Sequence, residues 1–155
     1  MRSVIAALAL WAAAGGAGAQ TLDRMAPAER YLMDPSQETA LALSAAPEQV
    51  ALGAGVLPLQ RDGSHRQARA SANGFTCLVE RSWSSPYDPA RPPGDFWDPA
   101  VLAPICLNAE ASATVPNEYL RRTELAFAGR NRAEIKRAIE ADLASGRLRA
   151  PRSLA

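Results

Sequence analysis

The sequence has few of the residues that most enzymes and metalloproteins use for chemistry. Its 155 residues include one histidine and two cysteines. A zinc site needs several convergent nitrogen, sulfur or oxygen ligands, and the cysteines lack the Cys-x-x-Cys spacing of redox or zinc motifs. A Gly-x-Ser-x-Gly elbow, a phosphate-binding glycine loop and a haem-attachment motif are also missing from the sequence. We therefore expect no metal, no cofactor and no catalytic residue.

An excess of one charge and a long apolar run are absent too. The 17 basic and 16 acidic side chains nearly cancel, which disfavours a nucleic-acid-binding protein. The apolar run from Val4 to Ala14 is shorter than the roughly 20 residues of a membrane span. Arg2 precedes this run and Ala17-Gly18-Ala19 follows it, which is the layout of a signal peptide over residues 1–19. We expect cleavage near Ala19 and a secreted or periplasmic protein without a membrane span.

The two cysteines, Cys77 and Cys106, both lie after the predicted leader. Outside the cytosol an even pair of cysteines is read first as a disulfide. Closing a loop of about 30 residues would stabilise a small domain by roughly 3.6 kcal/mol. We therefore predict a disulfide between Cys77 and Cys106.

The first half of the mature chain predicts an arm, a helix and a small sheet. Residues 20–33 are polar and mixed, which indicates a flexible arm or a short helix. Asp34 before Pro35 is an N-cap signal, and it predicts a helix over 35–46. Strands are predicted over 56–60, 65–70 and 75–81, because Asp-Gly and Asn-Gly turns separate them. The expectation is an antiparallel three-stranded meander within one α+β domain over 34–155.

The segment 82–104 is rich in proline and aromatic residues, so we expect a long irregular loop there, tied down by the disulfide. Two readings of the loop stay open: its aromatic rings form a lid on the core, or they form a recognition surface. Burial of Trp97 would favour the lid, and exposure beside Asp95 or Asp98 would favour a site. The candidate recognition surface comprises Trp83, Tyr87, Asp95, Phe96, Trp97 and Asp98.

The last part of the sequence predicts a helical hairpin with a basic surface. One helix is expected over 115–128, and a second begins at Asn131, where Glu134 completes a capping box. Residues 111–155 carry nine basic and five acidic side chains. The pair resembles a DNA-binding helix-turn-helix, but an exported protein meets no chromosomal DNA. We therefore expect solvated faces whose basic residues pair with Glu124, Glu134 and Glu140.

Four motifs resemble those of a family of uncharacterised secreted bacterial proteins. They are Asn-Gly-Phe-Thr-Cys-Leu-Val-Glu-Arg at 73–81, Phe-Trp-Asp-Pro at 96–99, Ala-Pro-Ile-Cys-Leu-Asn at 103–108 and Arg-Arg-Thr-Glu-Leu-Ala-Phe-Ala-Gly-Arg at 121–130. The resemblance covers most of 35–151 and implies no activity. Members of the family continue past Pro151 with a tail rich in methionine, tyrosine and histidine, whereas residues 152–155 here do not match it. The resemblance therefore implies that any site on that tail is missing.

Two functional hypotheses remain from the residues. The first is a non-enzymatic binding or structural protein of the cell envelope, monomeric, whose partner is an envelope protein or an anionic envelope polymer. The second is a hydrolase that uses loop carboxylates for glycosidic acid and base chemistry, with Asp88, Asp95, Asp98 and Glu110 as its candidates. His65 beside Ser64 makes a poor catalytic pair because neighbours in a strand point to opposite faces, so we expect an exposed strand histidine.

Overall fold

A computed structural model describes residues 23–84 and 93–150. The predicted leader and the positions of Tyr87 and Asp88 lie outside these described residues. Within the described ranges, no helix is both long and apolar enough to cross a membrane.

The N-terminal helix begins where the capping signal places it. Helix α1 spans Pro35–Leu43, and the Asp34 carboxylate accepts the backbone N–H groups of Ser36 and Gln37. The helix ends earlier than predicted, and a separate short helix, α2, follows at Glu48–Ala51. Before α1, the segment expected to be an arm or a short helix contains a 3-10 helix at Ala28–Tyr31.

The sheet has three strands, but it is mixed, so the predicted antiparallel meander is wrong. Strand β1 is Gly55–Val56, β2 is Thr76–Arg81 and β3 is Leu102–Leu107, in the order β1-β2-β3. Strand β1 runs parallel to β2, and β2 runs antiparallel to β3.

The predicted strand over 65–70 makes only two isolated bridges, between Val56 and Arg69 and between Leu59 and His65. Its sequence, His-Arg-Gln-Ala-Arg-Ala, offers no apolar face to bury, so a distant segment occupies the place beside β2. The turns around it are as expected, since Gly63 and Gly74 both have a positive φ, at 80° and 82°.

Strand β3 lies at the edge of the sheet and contains Pro104. Cys77 and Cys106 face each other directly with their Cα atoms 4.1 Å apart, the close spacing of a non-hydrogen-bonded antiparallel pair. Pro104 is two residues from Cys106, so it also occupies a non-hydrogen-bonded position opposite β2. Its nitrogen, which carries no hydrogen, therefore points to the outer edge of the sheet. Proline is therefore tolerated in β3, although the proline-rich composition predicts irregular structure there. The disulfide between Cys77 and Cys106 is confirmed.

Three helices follow the sheet. The short helix α3 spans Ala109–Ser112, α4 spans Val115–Phe127 and α5 spans Arg132–Ala144. The capping box at Asn131 is confirmed, because its side chain accepts the N–H of Glu134 while the Glu134 carboxylate accepts the N–H of Asn131. Gly129 has a φ of +73° between α4 and α5, as the predicted left-handed cap requires.

Side chains from the two faces of β2 enter two separate apolar clusters. Cys77 and Val79 pack with Ala42 of α1 on one face. Leu78 points to the other face, where it meets residues of α4 and α5 such as Ile135. The central strand is thus covered on both sides, with α1 on one face and the C-terminal helices on the other.

Candidate functional site

Three of the four aromatic residues proposed as a recognition surface belong to the core. Trp83, Phe96 and Trp97 are 0%, 4% and 2% exposed. The Trp83 indole N–H donates to the Thr123 hydroxyl at 2.9 Å, so its polar group is satisfied inside the protein. Of the two readings of the loop, these burial values favour the lid. Tyr87 lies outside the described residues.

The described loop carboxylates, Asp95 and Asp98, are exposed. Asp98 accepts the backbone N–H of Ala100 at 2.8 Å, which is the contact of a turn residue. Asp95 lies in the 3-10 helix Pro93–Trp97 and is exposed. Neither Asp95 nor Asp98 lines any of the three depressions described below, so these depressions do not offer the pair of loop carboxylates that acid and base chemistry on a glycoside requires.

A buried ion pair lies between α1 and the sheet, and no pattern in the sequence predicts it. Glu38 of α1 and Arg81 of β2 are 1% and 0% exposed, and the Glu38 Oε1 atom lies 3.0 Å from the Arg81 Nη2 atom. Glu38 also accepts the backbone N–H of Leu59 at 3.1 Å. The pair therefore links α1, β2 and the segment after β1.

Two tyrosines complete the hydrogen bonding around Arg81. Its guanidinium donates to the backbone carbonyls of Tyr31 and Val79 at 2.9 and 2.6 Å. Its backbone N–H donates to the Tyr119 hydroxyl at 3.1 Å. Burial raises the pKa of Tyr119 above its usual value, so this phenol stays neutral. Glu38 and Arg81 have no neighbours in sequence that predict pairing, because the partners are 43 residues apart.

His65 lies over this network, and the expectation of an exposed strand histidine is wrong. Its ring packs edge-on against Tyr119, with the ring centroids 5.5 Å apart. Both ring nitrogens are buried, with no hydrogen-bond partner within the described ranges. Burial, helped by the nearby Arg81 charge, lowers the pKa of His65 to about 4, so the imidazole is neutral at ordinary pH. The hydroxyl of the neighbouring Ser64 donates to Asp62 at 2.6 Å, so Ser64 and His65 form no nucleophile–base pair.

His65 also lines a depression of about 440 Å³, which we name the histidine cleft. One wall is the turn Asp62 to His65, and the other comes from α4, α5 and the segment after α5. Arg121 and Asp142 form an ion pair there at 2.9 Å, and Arg147 reaches the other oxygen of Asp142 at 3.2 Å. These three side chains of the cleft are therefore paired with one another, whereas Asp62 accepts hydrogen bonds from Ser64.

A second depression, of about 350 Å³, lies between α4 and α5, and we name it the arginine groove. Its lining residues are Arg121, Leu125, Arg130, Glu134, Arg137 and Ala138. Arg121 pairs with Glu124 at 2.7 Å, and Arg130 reaches Glu134 at 3.5 Å, the pairs that a solvated helical face predicts. Arg137 is exposed and has no carboxylate partner within 23–84 or 93–150. The groove is therefore lined by three guanidinium groups, of which Arg121 and Arg130 pair with carboxylates of the protein and Arg137 does not.

Within the part of the chain that the structure describes, no group of three or more histidine, cysteine, aspartate or glutamate side chains could hold a metal ion. No family model matches the chain, and no curated protein or solved structure matches it either. The arginine groove and the histidine cleft are therefore assigned from their own chemistry.

Proposed function

We propose that the protein is an exported, non-enzymatic binding component of the cell envelope, and that it docks onto an anionic partner through α4 and α5. The arginine groove is the observation that carries the proposal. Guanidinium groups bind carboxylate and phosphate in a bidentate geometry, and an unpaired Arg137 at the groove is available for such a contact.

The covalent and electrostatic design of the fold supports this assignment. The Cys77–Cys106 disulfide is the kind of crosslink that persists in oxidising compartments outside the cytosol. Residues 20–110 carry seven basic and eleven acidic side chains, whereas residues 111–155 carry nine and five. The positive charge is thus concentrated on the helical end, where it attracts an anionic partner over distances of about 10 Å.

Binding of the mature, disulfide-bonded protein to fluorescent poly-glutamate tests the proposal. We expect Arg137→Glu to weaken binding about tenfold or more, because it replaces the unpaired cation of the groove with an anion. Arg149→Glu makes the same change of charge at an exposed position outside the groove lining and serves as the matched control.

Binding by the unaltered protein should also weaken steeply as salt is added, because surface charges are screened. Equal losses in Arg137→Glu and Arg149→Glu would mean that only the net charge matters. Binding that is unchanged by salt, or no binding at all, would also contradict the proposal.

A further inference from the structure

Three neighbouring depressions lie side by side on the protein and share walls. Arg121 lines both the arginine groove and the histidine cleft. Asp62 lines both the histidine cleft and a third depression of about 490 Å³, which we name the N-terminal cleft. The series therefore leads from the start of α1, past the turn at Asp62, to the groove between α4 and α5.

Basic side chains stand at both ends of this series. Arg61 and Arg66 line the N-terminal cleft; both are exposed, and neither has an ion-pair partner in the described ranges. Arg137 stands at the opposite end, in the arginine groove. The Asp62 carboxylate between them is occupied by the hydroxyl and the backbone N–H of Ser64.

Two acidic residues in and beside the histidine cleft, Asp142 and Glu124, form ion pairs with arginines. Asp142 is 8% exposed and accepts contacts from Arg121 and Arg147, while Glu124 pairs with Arg121. Arginines therefore balance the charges of these two carboxylates, whereas Asp62 keeps its charge and accepts hydrogen bonds from Ser64. The histidine cleft, in the middle of the series, thus suits the apolar and uncharged parts of a ligand, and the two ends suit its acidic groups.

Apolar side chains line each of the three depressions. Leu32 and Leu59 lie in the N-terminal cleft, Leu120 and Leu148 in the histidine cleft, and Leu125 in the arginine groove. Leu59, Leu125 and Leu148 are at most 8% exposed, whereas Leu32 and Leu120 are partly exposed, and a linear glycan or a polyphosphate would leave these two without apolar partners. An extended peptide has side chains that project alternately to opposite sides, so it can set acidic groups against arginines and apolar groups against leucines.

We infer that the N-terminal cleft, the histidine cleft and the arginine groove form one continuous binding track for an extended acidic segment of a partner protein that also carries apolar side chains. This inference rests on the proposed function. It specifies the anionic partner of the protein as a segment of another protein. The two ends of the track are expected to bind the same peptide at the same time.

The probe is a fluorescent peptide of roughly 10 residues that alternates glutamate with leucine and proline, about 35 Å long when extended. We expect Arg61→Glu/Arg66→Glu to weaken its binding to the mature protein about tenfold, and Arg137→Glu to do the same from the other end. Arg30→Glu/Arg149→Glu has the same change of charge at exposed positions outside the three linings and should change binding less than about threefold.

Probe length and chemistry provide two further arms. A peptide of roughly four residues spans about 14 Å and would cover only part of a track made of three depressions, so we expect it to bind at least tenfold more weakly. A long peptide with serine in place of leucine keeps the charge but loses the apolar contacts, so it should also bind more weakly.

The outcomes separate this inference from the proposed function. If Arg137→Glu weakens binding and Arg61→Glu/Arg66→Glu does not, the docking face stands and the continuous track is wrong. If polyphosphate or the serine peptide binds as tightly as the leucine peptide, the partner is not the protein segment inferred here. If neither variant affects binding of any probe, the proposed function falls as well.

Discussion

Arg81 is the side chain whose burial demands most of its surroundings, because a guanidinium out of water loses several kcal/mol of hydration. The fold meets this demand with the carboxylate of Glu38 and the carbonyls of Tyr31 and Val79. These contacts come from three separate parts of the chain. The lost hydration of the guanidinium is therefore compensated only when all three parts have folded together. We interpret the pair as a device that fixes how α1 sits on β2 rather than as a source of net stability.

Removal of the buried carboxylate should therefore be costly. We expect Glu38→Gln to lower the free energy of unfolding by about 3 kcal/mol or more, because it leaves the Arg81 charge buried without a counterion. Urea unfolding followed by circular dichroism measures this change. The control is Glu140→Gln, which breaks the exposed pair between Lys136 and Glu140 and should cost less than about 1 kcal/mol.

Salt distinguishes the two variants further. The loss in Glu38→Gln should be the same at low and high salt, since a buried pair is screened much less than an exposed one. A loss for Glu38→Gln no larger than that of Glu140→Gln would show that the buried pair does not organise the fold.

At the scale of elements, the turn between Leu59 and His65 sets the shape of the candidate site. Gly63 has a φ of +80°, and a Cβ atom added there would lie 2.4 Å from the Cγ atom of Phe127 in α4. The turn can pack closely on α4 only because this position has no side chain. That close approach places Asp62 and His65 at the wall of the histidine cleft.

We expect Gly63→Ala to lower the free energy of unfolding by about 2 to 4 kcal/mol, the combined cost of a left-handed backbone and an overpacked contact. Gly146→Ala is the matched control, because Gly146 has a φ of +74° but nothing within 4 Å of its added Cβ. This control should cost about 1 kcal/mol, the backbone cost alone. Thermal and urea unfolding of the two variants checks the difference, and equal losses would contradict the packing argument.

What the sequence predicts at this scale is set by local chemistry. The caps at Asp34 and Asn131 and the turns at Gly63 and Gly74 are confirmed, because each depends on residues only a few positions apart. Strand β3 was not predicted, because it is stabilised by pairing with the distant strand β2. Its Pro104 also favours irregular structure when the sequence is considered alone.

The candidate site escaped prediction for a related reason. The aromatic residues that attract attention in the sequence, such as Trp97, are buried, whereas the arginine groove needs two helices side by side. The basic composition of 111–155 was a usable signal for the groove, and the pairing of Arg130 with Glu134 follows from their spacing. No pattern in the sequence predicts that the His65 ring packs against Tyr119.

At the scale of the whole molecule, the groups with shifted pKa values decide how stability responds to acid. His65 has a pKa lowered from 6.5 to about 4 by burial and by the nearby Arg81 charge. The unfolded chain binds a proton on this imidazole near pH 6.5, whereas the folded chain binds it only near pH 4. Between these values the unfolded state holds more protons, so the free energy of unfolding falls as the pH falls.

Other groups act elsewhere or in the opposite direction. Hydrogen bonds lower the pKa of Asp34, Asp62 and Glu134, so these carboxylates reduce stability only at more acidic pH, below their ordinary values. Burial raises the pKa of Glu80, which takes up its proton more readily in the folded state and so partly offsets the loss. The fall in stability above about pH 4.5 should therefore come mainly from His65.

We expect the free energy of unfolding to decrease by up to about 3 kcal/mol as the pH is lowered from about 7 to about 4. His65→Phe should remove most of this decrease, because phenylalanine keeps a ring against Tyr119 and cannot take up a proton. Urea unfolding at successive pH values measures both proteins, and curves of equal slope would contradict the assignment. His65 also lines the histidine cleft, so the residue to which we assign the acid response of the fold lies in the wall of the candidate site.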